Sequence, residues 1–127
     1  MILLDTDVMV EVYRGNPAAV RWLDGLGEEE LGLPGFVVLE LIYGCRNKRE
    51  LDATMKLAGR FPVLWPGAED CDRALADYAR SKLSHNLSML DALIGQCAVG
   101  LDCLLYTFNA RHFSLIKGLR HQAPFPR

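Results

Sequence analysis

The chain has 127 residues, 50% hydrophobic and 24% charged, with 14 Lys and Arg against 16 Asp and Glu for a formal net charge of −2. This is the composition of one ordinary globular domain, long enough to bury about two-thirds of the surface its unfolded chain exposes, and it excludes disorder, collagen-like repeats and long coiled coils. The acid excess also excludes a generally basic nucleic-acid-binding body and leaves only a local basic strip as a route to a polyanion.

Ile2-Leu3-Leu4 is a short apolar run ending in Asp5-Thr6-Asp7. That pattern suits a buried parallel strand whose carboxyl end opens into a site. No basic segment precedes the run, which speaks against a signal peptide and for a cytoplasmic protein. Asn16-Pro17 is a helix start, and the helix is expected to reach Leu26 with Val20, Leu23 and Leu26 on one side. Leu31 to Leu33 reads as a second strand, closed by Pro34-Gly35. The segment Phe36 to Cys45 is apolar on every side except Glu40. It reads as a buried helix, with a strand over Phe36 to Val38 as the alternative.

Arg46 to Gly59 follows as an amphipathic helix, with Leu51, Met55 and Ala58 expected inward. Phe61 to Trp65 suits an edge strand, because Pro62 cannot donate to a ladder. Helical spacing runs from Glu69 to His85 through Ala74, Leu75, Tyr78 and Leu83, and again from Ser88 to Val99. Cys103 to Phe108 is an apolar strand, and Phe113 to Leu119 a last short helix before a Pro-rich end. The apolar stretch from Ala92 to Phe108 carries Gln96, Asp102 and two glycines. It therefore reads as a buried helix and strand, not a membrane span. Cys45, Cys71, Cys97 and Cys103 form no C-x-x-C pair and read as small, reduced, mostly buried residues. Strands alternating with helices predict one α/β domain over 1–127, with a mostly parallel central sheet flanked by helices and a site beyond the carboxyl ends of the strands.

Three carboxylates sit inside segments that otherwise favour burial: Asp5 after Ile-Leu-Leu, Glu40 within Val-Val-Leu-Glu-Leu-Ile, and Asp91 within Met-Leu-Asp-Ala-Leu-Ile. Each has an ordinary explanation. Asp5 and Asp7 can make an Asx turn, Glu40 can reach solvent through a gap, and Asp91 stands three residues after Ser88, the spacing of a capping box. Together they point to a site. No Lys or Arg is interleaved with them, and two carboxylates brought to about 5 Å repel by about 3 kcal/mol at an effective dielectric near 20. A divalent cation resolves that repulsion, and an all-oxygen donor set favours Mg²⁺ or Mn²⁺.

The ordered series Leu-Leu-Asp5-Thr-Asp, Glu40-Leu-Ile-Tyr-Gly44, Leu87-x-x-x-Asp91-Ala-Leu-Ile and Thr107-Phe-Asn-Ala-Arg-His-Phe113 resembles the PIN domain. More narrowly, it is similar to the VapC-type ribonuclease toxins of bacterial toxin–antitoxin pairs. The resemblance spans essentially the whole chain. It implies a three-layer α/β/α fold and a Mg²⁺- or Mn²⁺-dependent endoribonuclease, with metal held by Asp5, Asp91 and Glu40. The fourth site position falls on Asn109, where the family often has Asp; Asn keeps a carbonyl acceptor but loses a charge. Thr6 and Thr107 match hydroxyl positions beside the acids, and Asp7 a supporting one.

The implied partners are RNA, with tRNA or another structured RNA as candidates, a small antitoxin protein and a second copy of the chain. Val12, Tyr13, Trp22 and Leu41 are expected to offer apolar contact surface. After Asp102 the chain has no acid but holds Arg111, Lys117, Arg120, Arg127, His112 and His121. These form a candidate basic rim with Arg46, Lys48 and Arg49, and His112 reads as a structural histidine. Three alternatives remain open on sequence: a phosphatase of the haloacid dehalogenase type, which also places D-x-D after a strand; a phosphoacceptor receiver module; and a degenerate PIN domain that binds RNA or a partner without cutting.

Overall fold

A computed structural model describes all 127 residues. Twelve elements follow one another: β1 (Ile2–Leu4), α1 (Thr6–Tyr13), α2 (Pro17–Asp24), β2 (Leu31–Pro34), α3 (Gly35–Tyr43), α4 (Lys48–Ala58), β3 (Val63–Leu64), α5 (Ala68–Ser81), α6 (Met89–Leu101), β4 (Leu104–Tyr106), α7 (Ala110–Phe113) and β5 (His121–Gln122). The strands make one all-parallel sheet in the order β3-β2-β1-β4-β5. The chain thus winds outward from β1 to β3, then returns across β1 to build β4 and β5. The carboxyl ends of β1 and β4 flank the point where winding reverses, the usual crevice for a ligand in an open α/β sheet. A receiver module places β1 between β2 and β3, so this order excludes that alternative.

Leu3, Leu4, Leu33 and Leu105 are fully buried in the sheet, and Val8, Met9, Val37, Ile94, Cys97 and Phe113 join them from the helices. Continuous apolar strands of this kind are those of a parallel sheet covered on both faces. Helix α3 packs on α1, α4 and α6, and α5 lies along α6. A polar chain locks that last pair. Gln96, 3% exposed, donates to Asp77 at 2.7 Å and accepts from Arg73 at 2.8 Å. Asp77 also holds Arg80 at 2.6 Å.

Asn16 caps α2 with Pro17 at its first position, as the sequence predicts. The helix ends at Asp24 rather than Leu26, and it turns Ala19, Trp22 and Leu23 inward while Val20 is exposed. Helix α3 confirms the helical reading of Phe36 to Cys45 but is not buried all round, because Leu39 and Tyr43 face solvent. On α4, Thr54 rather than Met55 turns inward. On α5, Leu75 is exposed and Asp77 buried, and Leu83 lies beyond the helix, almost fully exposed. In each case the core also accepts a small or hydrogen-bonded polar group, so apolar spacing alone misplaces the helical face.

The carboxyl-terminal reading needs a larger correction. The helix there is the single turn Ala110–Phe113, and Ser114 to Gly118 are turns and a bend instead of helix. The Pro-rich end then adds β5 and folds back over the molecule. Phe125 packs against Trp22 and Phe108, with ring centroids 6.4 and 5.1 Å apart, and Arg127 lies over the Phe108 ring at 4.6 Å. Trp22 also meets Tyr106 edge-on at 4.9 Å. Trp22 is therefore part of the packing, half-buried like Val12 and Leu41; of the four expected contact residues only Tyr13 is exposed.

Candidate active site

Strand β1 delivers Asp5 to the reversal point, where it becomes the N-cap of α1. One carboxylate oxygen accepts from the Thr6 amide at 2.8 Å and the other from the Thr107 hydroxyl at 2.7 Å. Thr107 follows β4, is 1% exposed, and accepts in turn from the Asn109 amide at 3.0 Å. The Thr6 hydroxyl donates to Glu40 on α3. On the other side, Asn109 Nδ2 lies 2.9 Å from His112 Nδ1, and the same ring nitrogen lies 3.3 Å from Asp91 Oδ2. Hydrogen bonds thus link Glu40, Thr6, Asp5, Thr107 and Asn109 in one arc, and His112 Nδ1 stands between Asn109 and Asp91, accepting from the first or donating to the second according to its tautomer. This arrangement collects every site residue predicted from the sequence out of four separate stretches of chain.

The capping explanation for Asp91 is only half right. Ser88 Oγ accepts from the Asp91 amide at 3.0 Å, which satisfies the α6 N-terminus, but the Asp91 carboxylate turns to His112. The hydroxyl caps and the acid stays available. His112 is hydrogen-bonded as a structural histidine should be, yet it lies inside the arc and is 27% exposed at its side chain. Its sequence position, three residues after Asn109 across one helical turn, is the only signal that could have placed it there.

Asp7 carries more weight than a supporting role suggests. One of its oxygens accepts from the Phe108 amide at 3.1 Å, while Oδ1 is buried and has no partner. Burial raises the Asp7 pKa against an opposing pull from the Phe108 amide and Arg127. Burial first, then the neighbouring Asp7, pushes Asp5 from an ordinary 3.8 up to about 7, with a smaller contribution from Asp91. The pocket is thus short of positive charge, and its acids offer carboxylate oxygens, which suit a hard divalent cation. On the orphaned Asp7 oxygen and that donor chemistry, the residues fit a metal. No three His, Cys, Asp or Glu side chains stand placed around one point.

A pH effect follows. Folded Asp5 keeps its proton up to about 7 whereas the unfolded chain releases it near 3.8, so the folded state binds more protons between those values. Its contribution to stability is therefore largest below about pH 4 and is lost as pH rises through 7. In chelator, the melting temperature of Asp5→Asn minus that of wild type should grow from pH 4 to pH 8. A pH-independent difference would show that Asp5 is not held in its protonated form.

Of the expected basic rim, Arg46 lines a cavity of about 400 Å³ with Thr6 and Glu40 but is paired with Glu50 at 2.8 Å. Lys48 pairs with Asp52, Arg120 with Asp102, and Arg127 with Glu11. Arg111 is in no ion pair and lines a second cavity together with His112.

Comparisons with known proteins agree with the geometry. The family model described as PIN domain matches residues 2–119. Ribonuclease VapC19 of Mycobacterium tuberculosis is 34% identical over 125 residues, covering 94% of this chain and 98% of that protein. The tRNA(fMet)-specific endonuclease VapC of Shigella flexneri is 27% identical over 128 residues, covering 93% of each. A toxin–antitoxin complex from Klebsiella pneumoniae contains a chain that superposes with a TM-score of 0.78 at 20% identity, over 98% of both chains.

Proposed function

This chain belongs to the PIN-domain family, and from that premise we propose that it is a metal-dependent endoribonuclease, the toxin of a toxin–antitoxin pair. The observation that carries the reading is the arc joining Glu40, Asp5, Asn109 and Asp91 at the reversal point of the sheet. The reaction is hydrolysis of an RNA phosphodiester.

Asp5 and Asp91, with Glu40 beside them, would hold Mg²⁺ or Mn²⁺, and Asp7 supplies a further buried oxygen. The cation when bound supplies charge neutralisation at a phosphate oxygen and lowers the pKa of an attacking water. The chain's own groups do the rest. The Thr6 amide and Thr107 hydroxyl fix the Asp5 carboxylate in direction. The Glu40 carboxylate, oriented by the Thr6 hydroxyl, is placed to orient a water or accept its proton. In its Nδ1–H tautomer His112 donates to the Asp91 carboxylate and holds it toward the arc, with Asn109 beside the ring. Asn109 keeps an oxygen acceptor at the fourth position without adding charge to an already acid-rich site.

The partner reading has its own support. The cavity of Thr6 and Glu40 is walled by Val10, Tyr13, Leu41 and Leu57 and rimmed by Arg14 and Arg46. An antitoxin segment with an apolar face fits such a groove and would shut the site. Exposed Leu39 and Tyr43 on α3, the latter 86% exposed, offer apolar surface for a homodimer. No helix is long and apolar enough to cross a membrane; the four cysteines are free thiols, which suits action on RNA in the cytoplasm.

The test is incubation of the purified chain with tRNA and structured RNA in Mg²⁺, in Mn²⁺ and in chelator. Discrete fragments in either metal and none in chelator are expected. Uncut RNA that still binds the chain would favour the binding-only alternative, and turnover of a phosphomonoester would favour the phosphatase.

A further inference from the structure

The second cavity, about 390 Å³, lies between the α5–α6 connection and α7. Lys82 and His85 come from the connection, Arg111 and His112 from α7, and Leu83 and Leu115 supply its apolar walls. No acid lines it. Lys82 and Arg111 form no ion pair anywhere in the structure, whereas seven of the other cations are engaged with acids. Ser84 holds the His85 ring through Nδ1 at 2.8 Å, leaving Nε2 free. Its volume is within the range of about 300–1,000 Å³ found for small-molecule sites. On an acidic protein, a cavity with two unpaired cations, two imidazoles and no carboxylate is a place built to attract an anion.

Its position selects the anion. His112 is shared between this cavity and the acidic arc, where it touches Asp91. A polyanion cleaved at the arc therefore has its neighbouring phosphates within reach of the cavity and its riboses and bases against the leucine walls. We propose that the Lys82–His85–Arg111–His112 cavity is a subsite for an RNA phosphodiester flanking the one that is cut, and that it sets the strand across the acids. The inference rests on the ribonuclease reading and deepens it. The acids repel the substrate backbone, so affinity has to come from a separate basic surface.

The experiment compares wild type with Lys82→Gln/Arg111→Gln, measuring binding of a short labelled single-stranded RNA in chelator across a salt series, and cleavage in metal. Each lost phosphate contact on a single strand lowers the salt slope by about 0.7, so the double variant should lose about 1.4, with Kd raised roughly tenfold at low salt. KM should rise with kcat largely kept. Lys82→Arg should bind as wild type, and Arg21→Gln/Arg60→Gln, which removes equal charge from residues lining neither cavity, should bind nearly as well. If wild type cuts RNA and the double variant matches it in Kd, slope and KM, the subsite is wrong and the ribonuclease reading stands. If wild type neither binds nor cuts RNA, both fall.

Discussion

Asp5→Asn is expected to lower metal-dependent RNA cleavage by roughly 10²–10⁴-fold while leaving the fold intact. Asn has the same size, and its carbonyl can still accept from the Thr6 amide that Asp5 now caps. The amide nitrogen facing Thr107 can donate to a hydroxyl that at present donates to Asp5 at 2.7 Å, so a hydrogen bond is reversed rather than lost. What disappears is the charge. Asp5 is 5% exposed and its carboxyl is pushed to about 7 by burial and by Asp7, so the native residue costs stability unless a cation is bound. The variant should accordingly melt at or above the wild-type temperature in chelator and gain little from added Mg²⁺, while wild type is stabilised by it. Discrete fragments at the wild-type rate from Asp5→Asn would remove Asp5 from the chemistry and the site assignment with it.

Phe113→Ala should cost about 3–5 kcal/mol, seen as a fall of about 2 M in the urea midpoint if the slope is about 2 kcal/mol/M. Phe113 is the largest fully buried side chain and the one buried residue of α7. A four-residue helix cannot hold itself together by backbone bonds, because a single turn fixes several residues for one hydrogen bond. Phe113 is thus the anchor that keeps His112 against Asp91 and Arg111 at the second cavity. Cleavage should fall with stability, and by more than the unfolded fraction explains, because α7 loosens before the sheet does. Phe113→Leu should be intermediate in both. A loss below about 1 kcal/mol would show that the turn is held by something else, Ile116 and Leu119 being the neighbours that also pack there.

Much of this was legible in the sequence because it is local. Ile2 to Leu4 suits a buried strand and is one, Asn16-Pro17 suits a helix start and is one, and Ser88 is the N-cap of α6. Glu40 and Asp91 stood out because a carboxylate among leucines needs a reason. The errors fell on the last helix and on side-chain direction. Met55 and Leu75 are apolar residues left outside, while Thr54 and Asp77 are polar residues taken in. Asp77 is tolerated there because Gln96, nineteen positions away, meets it at 2.7 Å. No window of helical periodicity contains that pairing.

The same division runs through the site. The sequence by itself determined the parallel α/β fold, the identity of the acids and the oxygen-only chemistry they imply, since each follows from hydrophobic pattern and residue type over a few turns. Only the tertiary structure decided that Asp7 has an orphaned buried oxygen, that His112 joins Asn109 to Asp91, that the Pro-rich end returns as β5 and covers Trp22, and that Lys82 and Arg111 meet in one cavity. The physical reason is separation along the chain. Lys82 and Arg111, or Asp5 and Thr107, interact through space after a strand has been inserted between others, and the free energy of those contacts depends on distances that chain spacing does not encode.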